Sequence, residues 1–303
     1  MRWLALCLGL WAAPLGGAAA APAPRAGIIG GSPADGATYP ATGMLVSAQA
    51  RGGVSVDCTA TLIRPDVALT AAHCIPDGYF GGLWFSLDPD ARDGINAAVA
   101  VAFAHPHPSY RRTRTDTLDL TDADDLAVLI LAEPVTAVMP ELLDGITDEA
   151  DVHPGVALEV VGYGVTKLNQ QEPSGQKTTA EVMVDRIADY ELDTTVAGPQ
   201  PCYGDSGGPM FTAGAGARRL VGLVSRAYGA VSTCTSGAIA TRVRPYLAWI
   251  DQAASDRSSP PTDNGDCAAG RGGVGGPLAL AAILVVARRR RLPPAPIRGN
   301  DGR

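Results

Sequence analysis

From residue 42 to residue 104 the chain is cut into short pieces. Residues 44–47, 54–58, 61–63, 67–70 and 97–103 are runs of β-formers, and Gly, Pro and Asp stand between them. No long segment with a 3.6-residue period appears before the C-terminal part of the chain. A chain without long helices buries its apolar residues between sheets, so the fold class is an all-β barrel or sandwich. Its 303 residues suffice for one large domain or two small ones. A formal net charge of −7 argues against a nucleic-acid partner.

The most informative stretch for chemistry is Pro-Cys-Tyr-Gly-Asp-Ser-Gly-Gly-Pro-Met at residues 201–210. A serine hydroxyl is a poor nucleophile until a base takes its proton. The oxyanion that develops after attack needs N–H donors aimed at it, and glycine lets the main chain approach and turn freely. Taken alone, a glycine-rich stretch of this kind is also what a surface turn looks like. The six residues 204–209 resemble the nucleophile loop of the trypsin/chymotrypsin serine endopeptidases. The resemblance implies Ser206 as nucleophile, with the N–H groups of Gly204 and Ser206 as the oxyanion hole. It also implies two six-stranded antiparallel barrels, with the active site between them and a helix at the C-terminal end.

Thr-Ala-Ala-His-Cys at residues 70–74 resembles the histidine motif of the same family. His73 is then the general base, a role suited to a side chain whose unperturbed pKa lies near neutrality. Cys58 stands 16 positions before Cys74, which fits the family disulfide that ties the histidine loop to the preceding strand. By the same resemblance Cys202 pairs with Cys234. His107 lies in a stretch similar to a structural loop of the family. The third member of the triad falls in an acidic run containing Asp116, Asp119, Asp122, Asp124 and Asp125. Asp125 is followed by Leu-Ala-Val-Leu-Ile and fits the family pattern, whereas Asp124 is one residue out of register. Asp125 orients His73 and stabilises its imidazolium. The remaining aspartates form a solvated loop or, alternatively, a Ca²⁺ site, although no EF-hand spacing is present.

Specificity follows from the same alignment. The residue six before the nucleophile, Gln200, takes the base of the primary specificity pocket, and a neutral amide does not select Arg or Lys. The edge strand of the pocket is Ser225, Arg226 and Ala227, and the last wall lies near Gly237 and Ala238. Ser225 hydrogen-bonds the triad aspartate. Arg226 stands where the family usually has an aromatic residue, and either favours acidic substrate side chains or reaches out to solvent. Residues 162–164, Gly-Tyr-Gly, resemble a strand of the family with Tyr163 in place of tryptophan, and residues 246–251 resemble its closing helix.

The two ends read differently from the body. Residues 1–21, with a basic start and a short apolar run, read as a secretory signal peptide. Residues 22–27 form a short propeptide, and Ile-Ile-Gly-Gly from Ile28 resembles the mature N-terminus of the family. There the new α-amino group pairs with the aspartate before the nucleophile, here Asp205, and orders the oxyanion loop. Gly27, not Arg or Lys, precedes Ile28, so the activating protease is left open. The peptidase domain is 28–253 and the linker 254–266. The tail, 267–303, combines Cys267, a Gly-rich apolar run and four consecutive arginines, 288–291. It resembles a myxobacterial C-terminal sorting signal, with a Gly-Gly type of sorting tail or a plain membrane anchor as alternatives. Export permits disulfides. Together these features imply an exported serine endopeptidase, secreted or held at the cell surface. It would act on protein or peptide substrates and be handled by an activating protease and a sorting peptidase. It would touch the membrane through its tail and use no metal or organic cofactor. The alternative is a catalytically silent surface binding protein on the same fold.

Overall fold

In a computed structural model the chain is described over residues 28–258. Residues 50–52, 78, 80, 111–119, 122, 142, 144–151, 168–174, 213–217 and 228–233 are not described. The signal and propeptide segments, Asp116, Asp119, Asp122, most of the linker, Cys267 and the tail lie outside the described residues. In chain order the strands are β1 (Ser32–Pro33), β2 (Thr42–Ala48), β3 (Val54–Arg64), β4 (Val67–Thr70), β5 (Leu83–Ser86), β6 (Val99–Pro106) and β7 (Ala127–Leu131). They continue as β8 (Ala157–Gly162), β9 (Thr178–Ile187), β10 (Glu191–Thr194), β11 (Pro209–Thr212), β12 (Leu220–Ala227) and β13 (Ala238–Arg242). One helix, α1 (Leu247–Ala253), follows. No helix among the described residues is long and apolar enough to cross a membrane.

Strands β2-β3-β4-β7-β6-β5 close into one six-stranded barrel. A second ring runs β8-β9-β10-β13-β12-β11 and is closed by the β8–β9 pairing, with β1 added on the outer side of β9. All of these pairs are antiparallel. The expected runs 54–58 and 61–63 are one continuous strand, β3, because nothing between them breaks the ladder.

The period of two along β7 explains how the barrels meet. All five of its residues are buried. Ala127, Leu129 and Leu131 point into the first barrel, while Val128 and Ile130 point the other way. Those outward residues join Val67 and Leu69 of β4 and meet Val161, Phe211, Leu220 and Leu223 of the second barrel, with Ile250 of α1. Each large side chain buried here contributes about 1.5–3 kcal/mol. A strand buried on both faces reads as a continuous apolar run, which is the text of residues 126–131. The second barrel has its own core around Leu158, Val160, Val182, Leu192, Met210 and Val224.

Candidate active site

The histidine loop is fixed from two sides. After β4 the chain makes a single 3-10 turn, Ala72–Cys74, which carries His73. Cys74 is bonded to Cys58 of β3. Both oxygens of Asp125 hold His73: Oδ1 accepts from its backbone N–H at 2.9 Å, and Oδ2 lies 2.8 Å from its Nδ1. A carboxylate only accepts, so Nδ1 carries the proton, and the lone pair of Nε2 is left as the basic site. The sulfurs of Cys58 and Cys74 lie close to the His73 ring, but the disulfide consumes both, so the group offers no thiolate to a metal.

Asp125 enters the site just before β7 and is 3% exposed. Burial pushes its pKa up. The charge of His73, its ring hydrogen bond, the hydroxyl of Ser225 and the His73 amide outweigh burial and hold the carboxyl below its usual value. Ser225 Oγ donates to Oδ2 at 2.6 Å, and Thr241 Oγ1 donates to the Asp125 carbonyl. The preceding residue faces elsewhere. Asp124 has φ +51° and accepts from Tyr246 Oη at 2.7 Å. His107, edge-on to Tyr246 and Trp249, stands 3.8 Å from it. Burial lowers the His107 pKa despite that neighbouring carboxylate.

The nucleophile loop is sewn to the first barrel by Thr59 of β3, which sequence reading did not single out. Its N–H donates to the Ser206 carbonyl at 2.8 Å and its hydroxyl to the Gly204 carbonyl at 2.8 Å, while the hydroxyl also accepts from Tyr163 N–H. The Ser206 carbonyl also lies 3.8 Å from Cys74 Sγ, which sets the serine beside the histidine loop. Gly204 has φ +89°, a conformation open to glycine. With both carbonyls turned to Thr59, the Gly204 and Ser206 amides have no acceptor among the described residues. Ser206 is half-buried, and its Oγ makes no hydrogen bond among the described residues. Catalytic hydrogen bonds often tighten only when substrate is bound.

Asp205 points inward. It is fully buried and accepts from the amides of Gly164 at 2.8 Å and Cys202 at 2.9 Å. Burial pushes its pKa up to about 7 against the pull of those two bonds. Its carboxylate fits only because Gly162 and Gly164 have no side chains, since a Cβ on either would collide with it. Ile28 is fully buried in the core of the second barrel, and Ile29 is bridged to Gln200 by a pair of backbone hydrogen bonds.

Gln200 is buried, and its carboxamide is engaged at both ends. Nε2 donates to the carbonyls of Thr195 and Gly198, and Oε1 accepts from Gly237 N–H at 3.0 Å. Cys202 is bonded to Cys234 beside it. Ala227, at the end of β12, pairs with Ala238 of β13. Arg226 corrects the expectation from sequence. It neither reaches solvent nor waits for an acidic side chain, because its guanidinium grips Glu191 of β10. A cation replacing an aromatic in a buried strand needs a partner, and the strand two along in the same sheet carries it. Which carboxylate that would be is a tertiary fact that the local sequence does not contain.

Two closed antiparallel barrels, with Asp125 on His73 and the Ser206 loop held beside the histidine loop, have the architecture of the trypsin-like fold. The family model described as Trypsin matches residues 28–250, and the chain belongs to that family of serine-type endopeptidases. It is 28% identical over 228 residues to vitamin K-dependent protein C of Oryctolagus cuniculus, covering 67% of this chain and 48% of the relative. It is 28% identical over 266 residues to phenoloxidase-activating factor 3 of Holotrichia diomphalia, covering 74% and 72%. Spermosin of Halocynthia roretzi is 30% identical over 254 residues, covering 74% and 61%. The chain thus spans about half the length of the first of these relatives.

Proposed function

We propose that the chain is an exported serine endopeptidase that cleaves protein or peptide substrates through an acyl-enzyme. Ser206 Oγ attacks the scissile carbonyl while His73 Nε2 takes its proton. The amides of Gly204 and Ser206 receive the oxyanion. His73 then protonates the leaving amine, and water releases the acyl group by the reverse exchange. The observation that carries this reading is the grip of Asp125 on His73, both oxygens on one residue, because it sets the tautomer that general-base catalysis needs. Gln200, locked within the pocket wall, supports preference for an uncharged residue before the scissile bond.

Cleavage before Ile28 completes the site in this reading. The new α-amino group supplies the cation that the buried Asp205 lacks among its described neighbours, and so fixes the oxyanion loop. The arrangement of the ends belongs to the same proposal: signal 1–21, propeptide 22–27, peptidase domain 28–253, linker 254–266, and a tail from Cys267 handled by a sorting peptidase. The two disulfides fit an oxidising compartment. Hydrolysis of a peptide library by the processed protein, with Ser206→Ala as control, tests the activity. Cleavage by the wild type alone is the expected result, and no cleavage by either would favour a silent binding protein. Mass spectrometry of the mature chain tests the ends. An N-terminus at Ile28 and a C-terminus near Cys267 are expected, and an intact end at Arg303 would remove the sorting step.

A further inference from the structure

The side chain of Arg226 and that of Glu191 form a buried bidentate pair, 7% and 0% exposed. Nη1 donates to Oε1 at 2.7 Å and Nη2 to Oε2 at 3.1 Å. Each member also reaches toward the triad. Glu191 Oε2 accepts from Thr121 N–H at 2.7 Å, and Oε1 accepts from Ala123 N–H at 3.3 Å. Those amides belong to the segment that leads directly into Asp125. Arg226 Nη2 donates to the Thr121 hydroxyl at 3.2 Å. Its Nη1 lies 3.4 Å from Ser225 Oγ, the hydroxyl that donates to Asp125. The strand register explains why neighbouring side chains share one network. The β12–β13 pairing shifts between Val224 and Arg226, leaving Ser225 as the extra residue of a bulge. A bulge re-aims side chains that would otherwise alternate across the sheet.

We infer that Arg226 and Glu191 are positioning residues for the triad: their ion pair clamps Thr121 and Ala123 to the second barrel and, through Ser225, holds Asp125 against His73. This deepens the proposed peptidase reading and rests on it for its catalytic consequence, but the coupling to His73 is a property of the folded protein alone. A buried pair retained at such a place is costly unless both partners stay. It is also electrically balanced, so it sets geometry while adding little net field at His73. Removing Glu191 breaks that balance, because the guanidinium keeps its charge when its partner is gone. Asp124 and His107 lie on the α1 side, tied to Tyr246 and Trp249, and are common to every variant below.

The test is an NMR titration of the His73 imidazole in the Ser206→Ala protein, paired with kinetics of the processed Ser206 enzyme. Glu191→Gln leaves an uncompensated guanidinium near Asp125. It should lower the His73 pKa by about half a unit and move the acid limb of kcat/KM to lower pH. Arg226→Met takes the guanidinium from the fully buried Glu191, which then takes up a proton as the buried Asp205 does, so His73 should titrate as in the wild type while kcat falls about 10-fold. Arg226→Met combined with Glu191→Gln should return the pKa to near wild type, while kcat stays about 10-fold down and KM changes little, because the clamp on Thr121 and Ala123 is gone. Arg226→Lys, which keeps the charge without the fork, should keep the wild-type pKa and recover part of kcat. A Glu191→Gln protein that unfolds more readily yet titrates as wild type, or an Arg226→Met protein that shifts His73 as Glu191→Gln does, would overturn the inference. If the wild type cleaves nothing but the Glu191→Gln shift and its reversal in the double variant appear, the coupling stands and the peptidase reading is what fails.

Discussion

Two aspartates of the site are taken out of water, and their surroundings differ in one respect. Asp125 has His73 against both oxygens and Ser225 on one of them, and its pKa is depressed. Asp205 has two amide donors and no cation among its described neighbours, and its pKa is raised to about 7. The same residue type at the same depth is therefore ionised and finished in one place and short of a charge in the other. Hydrogen bonds from two amides do not replace a counter-charge when a carboxylate is fully desolvated. On the proposed reading, the region around Asp125 works as folded, whereas the region around Asp205 is completed by the amine that processing creates at Ile28.

The comparison breaks first at Asp125. Asp125→Asn presents an amide where His73 Nδ1–H needs an acceptor and so favours the wrong tautomer. It should lower kcat by about 10⁴-fold with the fold intact, and Ser206→Ala or His73→Ala by about 10⁴–10⁶-fold. Steady-state kinetics alongside a circular-dichroism spectrum checks both halves of that statement. An active Asp125→Asn enzyme would mean that the finished region is not the working one.

Asp205→Asn should act in opposite senses on the two forms of the chain. In the processed enzyme it removes the partner of the Ile28 amine, and kcat should fall by at least about 10²-fold, the cost of a misplaced oxyanion donor. In the unprocessed chain it removes a buried carboxylate with a raised pKa. Such a group binds its proton more tightly folded than unfolded. Its burial therefore costs nothing extra below about pH 4, and stability falls as pH rises from about 4 to about 7, by on the order of 4 kcal/mol in all. Asp205→Asn should thus raise the Tm of the unprocessed chain at pH 8 and leave it unchanged at pH 4. The Asp125 linkage runs the other way: its stabilisation is present above about pH 4 and is lost as pH falls through the depressed folded value. Thermal denaturation across pH 3–8 separates the two.

Each region also has its own disulfide. Replacing Cys58 and Cys74 together by Ala, or Cys202 and Cys234, should cost about 2–4 kcal/mol. The first pair should also disturb kcat through His73, and the second should disturb substrate preference through Gln200. Denaturant titration and a cleavage profile read the two effects. The smallest change is expected at Asp124→Asn. Its Oδ1 can still accept from Tyr246, so kcat should stay within about 5-fold of wild type. A loss larger than that of Asp125→Asn would reverse the assignment of the two neighbours.

What the sequence made legible was local. Short β runs and turn residues between 42 and 104 pointed to an all-β barrel or sandwich, and the motifs at 70–74 and 204–209 singled out His73 and Ser206. The register of the acidic run, with Asp125 rather than Asp124 facing His73, was readable because an apolar strand begins right after it. Contacts across long stretches of chain were not readable. Thr59 reads as one more strand residue, yet it joins the nucleophile loop to the first barrel across 145 positions. Glu191 reads as an ordinary charged residue near a turn, and only the pairing of β10 with β13, and of β13 with β12, brings it to Arg226. An arginine in an otherwise apolar strand signals that a buried counter-charge exists, but not where it lies.

The most direct test of the account is to label the processed protein with a fluorophosphonate and locate the adduct by mass spectrometry. One stoichiometric adduct is expected, on Ser206, formed slowly by the unprocessed chain and abolished by His73→Ala. A processed, folded protein that takes no label, or takes it on another residue, would contradict it.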